Sequence, residues 1–321
     1  KIYIDQNNKW WYVKKTLTPR EYKGRKAFPT FVPVVLLPND RRVFAKLGIF
    51  LFPLFAVSEA VLCFHGVNGE DGSVQGLLQL AGVPHTCSGV AASAIGMDKM
   101  LSKRLFRSLE LPVLPAALVT KQSYDSDGVV LGPELTFPLV IKPCSLGSSI
   151  GISVAGGAEE LEKALSVAFA FDNSVLIEKA LPDAREANCC YLCGEVSDVF
   201  RPVSSGEILS FGDKYLSGEK HEPPRETVFV EEIKEAASRV CNALGINGCA
   251  RVDFLVNGEA WYINEINTIP GSLGYTLWKD VYTLGEYMNK LICDARAVAG
   301  QKEKLVFTYD SEVLSGGRAK K

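Results

Sequence analysis

Two strand-like runs near the C-terminal end, GCARVDFLV and AWYINEINTIP, flank the turn Asn257-Gly258-Glu259. This spacing constrains the chain more than any other feature, because runs joined by so short a polar turn pair with each other as an antiparallel hairpin. Alternation places Arg251 and Asp253 on one face of the first run, and Ile263, Glu265 and Asn267 on one face of the second. With a three-residue loop Val256 opposes Ala260 and the two polar faces coincide; a two-residue Asn-Gly loop separates them. Two carboxylates, an amide oxygen and a guanidinium on one face are costly in a core and well suited to Mg²⁺ and phosphate. The competing reading is an exposed face laced by an ion pair from Arg251 to Asp253 or Glu265, against which Ile263 stands in the same row.

A second feature is VIKPCSLGSSIG, residues 140 to 151. Val140 and Ile141 read as the end of a strand, and Pro143 stops it because proline donates no ladder hydrogen bond. Beyond it Ser145, Gly147, Ser148, Ser149 and Gly151 let a backbone approach a ligand closely and offer N–H and hydroxyl donors, which suits phosphate. On this stretch alone, a solvent-exposed turn with a snorkelling Lys142 accounts for the residues equally well.

At 321 residues the chain exceeds most single cores, so two or three packed subdomains are expected. Its hydrophobic fraction of 47% and charged fraction of 22% are those of a soluble globular protein. A net charge of -2 gives no general attraction to nucleic acid or to an anionic membrane, so any phosphate must be met locally. The longest apolar run, residues 47 to 57, is shorter than a bilayer span and contains Pro53, which predicts a buried strand or helix. Lys1 opens directly onto the strand-like KIYIDQNNKWWYV, so no secretory leader is expected. The nine cysteines sit in one tight cluster, Cys189, Cys190 and Cys193, and singly in apolar runs. Without a second CxxC they read as small core residues of a reduced, cytoplasmic protein rather than as a zinc site.

The first ninety residues mix short apolar strands (VPVVLL, AVLCFHG) with turns and a helix in GSVQGLLQLAG, the pattern of an α/β unit. A helix follows over SAIGMDKMLSKRLFRSLEL and stops before Pro112. Strands AALVT, PLVIK, GISVA and SVLIEKAL surround the helix AEELEKALSVAFAF. Next come strands NCCYLCG and EVSDVFRPV, a polar loop from Ser204 to Pro224, and the amphipathic helix EEIKEAASRVCNALG. The small, basic tail from Gln301 is expected to fray. A P-loop kinase is disfavoured because Lys142 precedes its glycines, and a Rossmann dehydrogenase because no GxGxxG lies between a strand and a helix.

Seven motifs occur in order: HGVNGEDGSVQG, GVAASAIGMDK, FPLVIKPCSLGSSIG, VLIEKAL, DKYLSG, ARVDF and NEINTIPG. Together, over about residues 60 to 295, they resemble the D-alanine:D-alanine ligases of the ATP-grasp superfamily. The resemblance implies an α/β fold with α+β subdomains. A truncated Rossmann-like domain lacking its usual first strand (1–92) would precede a central ATP-grasp subdomain (93–183), a C-terminal one (184–300) and a tail (301–321). It implies ligation of two D-alanines through an acyl phosphate for peptidoglycan synthesis, with ATP and Mg²⁺ (or Mn²⁺) as cofactors, in a cytoplasmic homodimer that binds neither nucleic acid nor membrane. Lys99 and Lys142 match its two ATP-phosphate lysines, Ser149 its loop over the triphosphate, Glu178, Lys179 and Leu181 its adenine strip, Glu186 its ribose-binding acid, and Lys214 an ATP-binding group on the closing loop with Tyr215. Asp253, Glu265 and Asn267 match the metal ligands. Arg251 and the backbone N–H of Gly271 match the oxyanion donors, and Ser148 and Tyr215 the groups that close over the substrates. His65, Thr276 and Leu277 match the substrate contacts, while Glu70 and Asp71 are expected to be structural, capping the following helix.

Two departures stand out. The family opens with a strand and a glycine-rich turn whose serine and glutamate orient the first amino acid; this chain is expected to start near the second strand, leaving that subsite absent or rebuilt. The serine that usually holds the second carboxylate is replaced by Thr276 within GSLGYTLW. That substitution motivates D-alanine:D-serine ligation as the alternative, and the missing first unit motivates a nucleotide-binding protein without ligase activity. Tyr215 favours an amino acid acceptor over D-lactate by the same resemblance.

Overall fold

The structure, a computed structural model, describes residues 1–14, 31–147, 149–202 and 224–306. Strands β1 (Ile2–Ile4), β2 (Trp10–Tyr12), β3 (Val32–Leu37), β4 (Asp40–Leu47) and β5 (Phe50–Ala56) form one sheet in sequence order, every neighbour antiparallel. The α/β class holds for the molecule, but this part differs from the Rossmann-like unit expected of residues 1–92. The reason lies in the connections. β3 turns into β4 through Pro38-Asn39 and β4 into β5 through Gly48-Ile49, with Asn39 and Gly48 at φ of 59° and 62°. Two-residue turns of this kind permit only antiparallel pairing, whereas a parallel pair needs a crossover of about a dozen residues. One such crossover exists. Ala60 bridges His85 in parallel across helix α1 (Ser73–Leu80), and this is the single parallel pairing among the described residues. The expected strand AVLCFHG is reduced to that bridge.

The apolar run 47–57 forms edge strand β5 and the turn before it, and every residue of β5 is exposed. Apolarity predicted burial there; the edge position, with no described element packed on its outer side, decided otherwise.

The helix expected over 93–111 is two helices, α2 (Val90–Met97) and α3 (Lys99–Ser108). Asp98 between them is extended, and its carboxylate accepts from Met100 N at 2.9 Å and Leu101 N at 2.8 Å. A side chain that satisfies orphan N–H groups starts a helix, so the periodic pattern breaks at this residue.

The central sheet has the order β6-β9-β7-β8, with β6 (Ala116–Thr120), β7 (Leu139–Pro143), β8 (Ser153–Ala155) and β9 (Ser174–Lys179), all pairs antiparallel. Helix α4 (Lys121–Asp127) follows β6, and α5 (Ala158–Ala168) covers the sheet. Leu161, Ala164, Leu165 and Ala168 of α5 recur at helical spacing and are buried with Leu139, Ile141, Val175 and Ile177. Full burial of one such leucine stabilises the fold by roughly 1.5–3 kcal/mol.

The C-terminal sheet runs β11-β10-β12-β13, with β10 (Arg185–Leu192), β11 (Glu195–Val196), β12 (Cys249–Val256) and β13 (Trp261–Asn267). Both of its faces are buried. Cys189, Tyr191, Val252 and Phe254 pack beneath α6 (Val230–Leu244). Cys190, Leu192 and Cys249 meet Tyr287 and Leu291 of α7 (Leu284–Lys302) and Val34, Leu36 and Val43 of the first sheet. Adjacent Cys189 and Cys190 thus enter opposite cores, as period-2 alternation requires. Helix α7, started by a Thr283/Glu286 capping box, went unpredicted. No described helix is long and apolar enough to cross a membrane.

Candidate active site

A cleft is lined by Glu70, Lys99, Leu146, Gly147, Glu265 and Asn267, among others, with α3 and the loop after β7 on one side and β13 on the other. The central sheet borders it through Lys142, which reaches Asn264 of β13. Lys142 lies near the end of β7, just before Pro143, diagonal on the ladder to Glu178 of β9. Its ammonium is in ion-pair contact with Glu178 Oε2, and Lys103 of α3 contacts Oε1 of the same carboxylate. Burial alone would raise the Glu178 pKa, but Lys142 and Lys103 outweigh it and hold this carboxyl well below the ordinary carboxylate range. Both oxygens of Glu178 are therefore engaged inside the core, where the adenine contact implied for it by resemblance would need one of them. Lys179 ends β9 exposed, with its N–H donated to Pro115 O at 3.0 Å, and Leu181 is half-buried beyond it.

Lys99 opens α3, and its ammonium donates to Leu146 O on the loop after β7. That loop is anchored by Asp172, which accepts from Ser145 N at 2.7 Å and Ser174 N at 3.0 Å. Ser149 and Gly151 take positive φ of 58° and 73°, so two residues turn left-handed close together. Ser148, Lys214 and Tyr215, together with the polar loop around the last two, lie outside the described residues.

The C-terminal sheet supplies the other wall, and its register corrects both loop lengths considered above. Val256 pairs with Trp261, leaving a four-residue connection in which Asn257 Oδ1 accepts from Glu259 N at 3.2 Å and Ala260 N at 3.0 Å. Continued unbroken, that register would place Asp253 opposite Asn264 and turn Glu265 to the other face. A bulge after Asp253 prevents this. Beyond it Asp253 pairs with Glu265 and Arg251 with Asn267, so the four polar residues share one face. Ile263 lies on the opposite face, 1% exposed in the core with Phe254 and Ile266. The polar row is therefore clean, and Ile263 is no argument about its exposure.

On this face Arg251 donates from Nε and Nη2 to the two oxygens of Asp253 at 2.6 and 2.7 Å, and Asn267 Nδ2 donates to Asp253 Oδ2 at 2.9 Å. Burial alone would lower the guanidinium's pKa; Asp253, reinforced by Glu265 and Glu186, raises it instead. Glu186 thus adds to the Arg251 field from neighbouring strand β10. Among the described residues, two carboxylates stand against one guanidinium in this row. With the Asn267 amide they form a hard oxygen donor set that fits Mg²⁺, short of six ligands, the balance falling to phosphate and water. Asn264, the bulge residue, accepts from Lys142 Nζ at 3.3 Å and joins the two walls.

Glu70 lines the cleft and also accepts from Gly66 N at 2.5 Å, with His65 Nδ1 at 3.4 Å from its other oxygen. Asp71 accepts from Asn68 N at 2.7 Å and from Ser73 N, the first residue of α1, at 3.0 Å. His65 faces a separate, wider cavity shared with Tyr3, Asp5 and Trp10 of the first sheet. Gly271, Thr276 and Leu277 lie in a 3-10 segment, Gly271–Leu277, in which Ser272, Leu273 and Gly274 all have positive φ. Tyr287 Oη clamps this segment by donating to Leu273 O at 2.5 Å. Thr276 is exposed and Leu277 packs partly on the core, and neither lines the cleft.

Lys103 and Asn264, which touch Glu178 and Lys142 beside the site, are the neighbours that sequence reasoning missed. Each left a signal. Lys103 stands one helical turn after Lys99 on the same face, and Asn264 interrupts the alternation between Ile263 and Ile266.

Residues 105–291 match the family described as D-ala D-ala ligase C-terminus. The D-alanine–D-alanine ligase of Thermosipho africanus is 33% identical over 270 residues, spanning 80% of this chain and 73% of that protein. The solved D-alanine-D-alanine ligase of Coxiella burnetii shares the fold, with a TM-score of 0.75 at 22% identity over 94% of this chain and 86% of that one. The Bacillus anthracis enzyme complexed with ATP gives a TM-score of 0.62 at 25% identity, over 76% and 81%. The chain therefore belongs to the D-alanine–D-alanine ligases and has their ATP-grasp fold.

Proposed function

We propose that this chain uses ATP to join two D-alanines into D-alanyl-D-alanine for peptidoglycan synthesis. The observation that carries the reading is the charge opposition across the cleft: lysines on the central wall and on α3, carboxylates on the C-terminal wall. Phosphoryl transfer needs its reactants positioned and its charge offset more than it needs covalent help. Lys99 and Lys142 would bind the phosphate oxygens as compact cations. Asp253, Glu265 and Asn267 would hold Mg²⁺, which when bound offsets charge on the phosphates. A carboxylate oxygen of the first D-alanine attacks the terminal phosphorus and ADP leaves. The amine of the second then attacks the acyl carbon, losing a proton, and phosphate departs. Arg251, steered by Asp253, would turn its remaining N–H groups to the tetrahedral oxyanion together with the Gly271 N–H.

The D-serine alternative is not favoured, since the curated relative with 33% identity is a D-alanine–D-alanine ligase. A homodimer, and a cytoplasmic setting where ATP is supplied, belong to the same proposal and rest on the family resemblance. The test is phosphate release from ATP, with the product identified by mass. D-alanyl-D-alanine formed only with both D-alanine and Mg²⁺ is the expected result; a mixed dipeptide from D-serine, or ATP binding with no dipeptide, would overturn it.

A further inference from the structure

Lys103 has no part in the reaction above, yet it is one of the most deeply buried side chains in the protein. Lys103 and Glu178 are each 1% exposed and Lys142 is 9% exposed. One lysine would neutralise Glu178. A second leaves an extra positive charge where water is nearly absent, and for stability alone an apolar residue at position 103 would serve as well or better.

The two lysines are not equivalent. Lys142 is the less buried, and it also reaches Asn264 of β13, the neighbour of the cleft-lining Glu265. Lys103 approaches the far oxygen of Glu178 from α3. A phosphate group arriving in the cleft attracts Lys142 away from Glu178. Were Lys142 the only partner, that movement would leave a lone buried carboxylate, and the cost would be subtracted from nucleotide affinity. With Lys103 in place the carboxylate stays paired throughout.

We infer that Lys103 is a positioning residue: it keeps Glu178 paired while Lys142 turns from Glu178 to the phosphates of the nucleotide. This rests on the proposed role of Lys142 at the phosphates. ATP binding is therefore measured by calorimetry on the full chain, separately from dipeptide formation, so that failure of the ligase reading is seen apart from failure of this one. Lys103→Met should weaken ATP binding and raise the ATP KM by about tenfold or more, with kcat and the D-alanine KM little changed. The decisive variant is Lys103→Met combined with Glu178→Gln. No lone carboxylate remains in it, so it should bind ATP more tightly than Lys103→Met alone, a non-additivity that a merely structural role would not produce. Lys103→Arg should restore most of the affinity, and Lys103→Gln provides the same comparison if the methionine variant does not fold. ATP affinity within about twofold of the parent in folded Lys103→Met or Lys103→Gln would overturn the inference. So would a weakening that Glu178→Gln fails to relieve.

Discussion

The two walls of the cleft are built alike and charged oppositely. Each is a four-stranded, fully antiparallel sheet, but among the described residues the central one sets Lys142 and Lys103 against Glu178, whereas the C-terminal one sets Asp253 and Glu265 against Arg251. Each surplus is a charge that a core alone would not select, and each suits a different part of a metal-bound nucleotide: cations for the phosphate oxygens, oxygen donors for the metal. The walls also differ in how the surplus is placed. On the central wall it sits on a regular ladder and is supplemented from a helix, while on the C-terminal wall it depends on one irregular residue, Asn264.

The sharpest way to break this comparison is to exchange Glu265 and Ile266, which stand on opposite faces of β13. The exchange keeps the composition but puts the carboxylate on the core face opposite Val252 and the isoleucine opposite Asp253. Activity should fall by more than about 10³-fold, accompanied by a lower melting temperature, because a charged group would enter the core or the strand would unpair. Retained activity in that variant would show that the face taken by the carboxylate does not set the site. A smaller effect distinguishes the walls by what each binds. Lys142→Met should lower kcat/KM for ATP by about 10²–10³-fold at an unchanged Mg²⁺ requirement, whereas Glu265→Gln should raise the Mg²⁺ concentration needed for half-maximal activity. Parallel shifts in the two metal titrations would erase the division of labour.

The smallest effect is one of stability and pH. The Glu178 carboxyl is lowered from 4.5 to about 2, the lysines overcoming the opposing effect of burial. A depressed carboxylate contributes stability that is present in full above its unfolded value and lost as pH falls toward its folded one. The gap in unfolding free energy from urea titrations between the parent and Glu178→Gln should therefore stay constant from about pH 8 to 5 and narrow below about pH 4.5, by a few kcal/mol at most. A gap that widened on acidification would reverse the sign assigned to this cluster.

Much of the molecule was legible residue by residue. The strand ending at Pro143, the amphipathic helices around Leu161 and Val240, and the hairpin carrying Arg251, Asp253, Glu265 and Asn267 all follow from local rules: proline has no N–H, and apolar residues recur at 3.6 or 2. The order of motifs along the chain was sufficient for the family.

Other features were decided only when distant segments met. Strand β5 is as apolar as any core strand, yet lies exposed at a sheet edge, because burial depends on what packs against a strand and not on its composition. Asn264 reads as one more polar residue until pairing with β12 makes it the extra residue that a bulge takes up, which keeps Asp253 opposite Glu265. Lys103 reads as a surface lysine of an amphipathic helix until β7 and β9 bring Lys142 and Glu178 to it from 39 and 75 positions further along the chain. A sequence states each residue's own preference. Which charge neutralises which, and which face turns to the cleft, depend on contacts between segments remote along the chain, and those exist only in the folded protein.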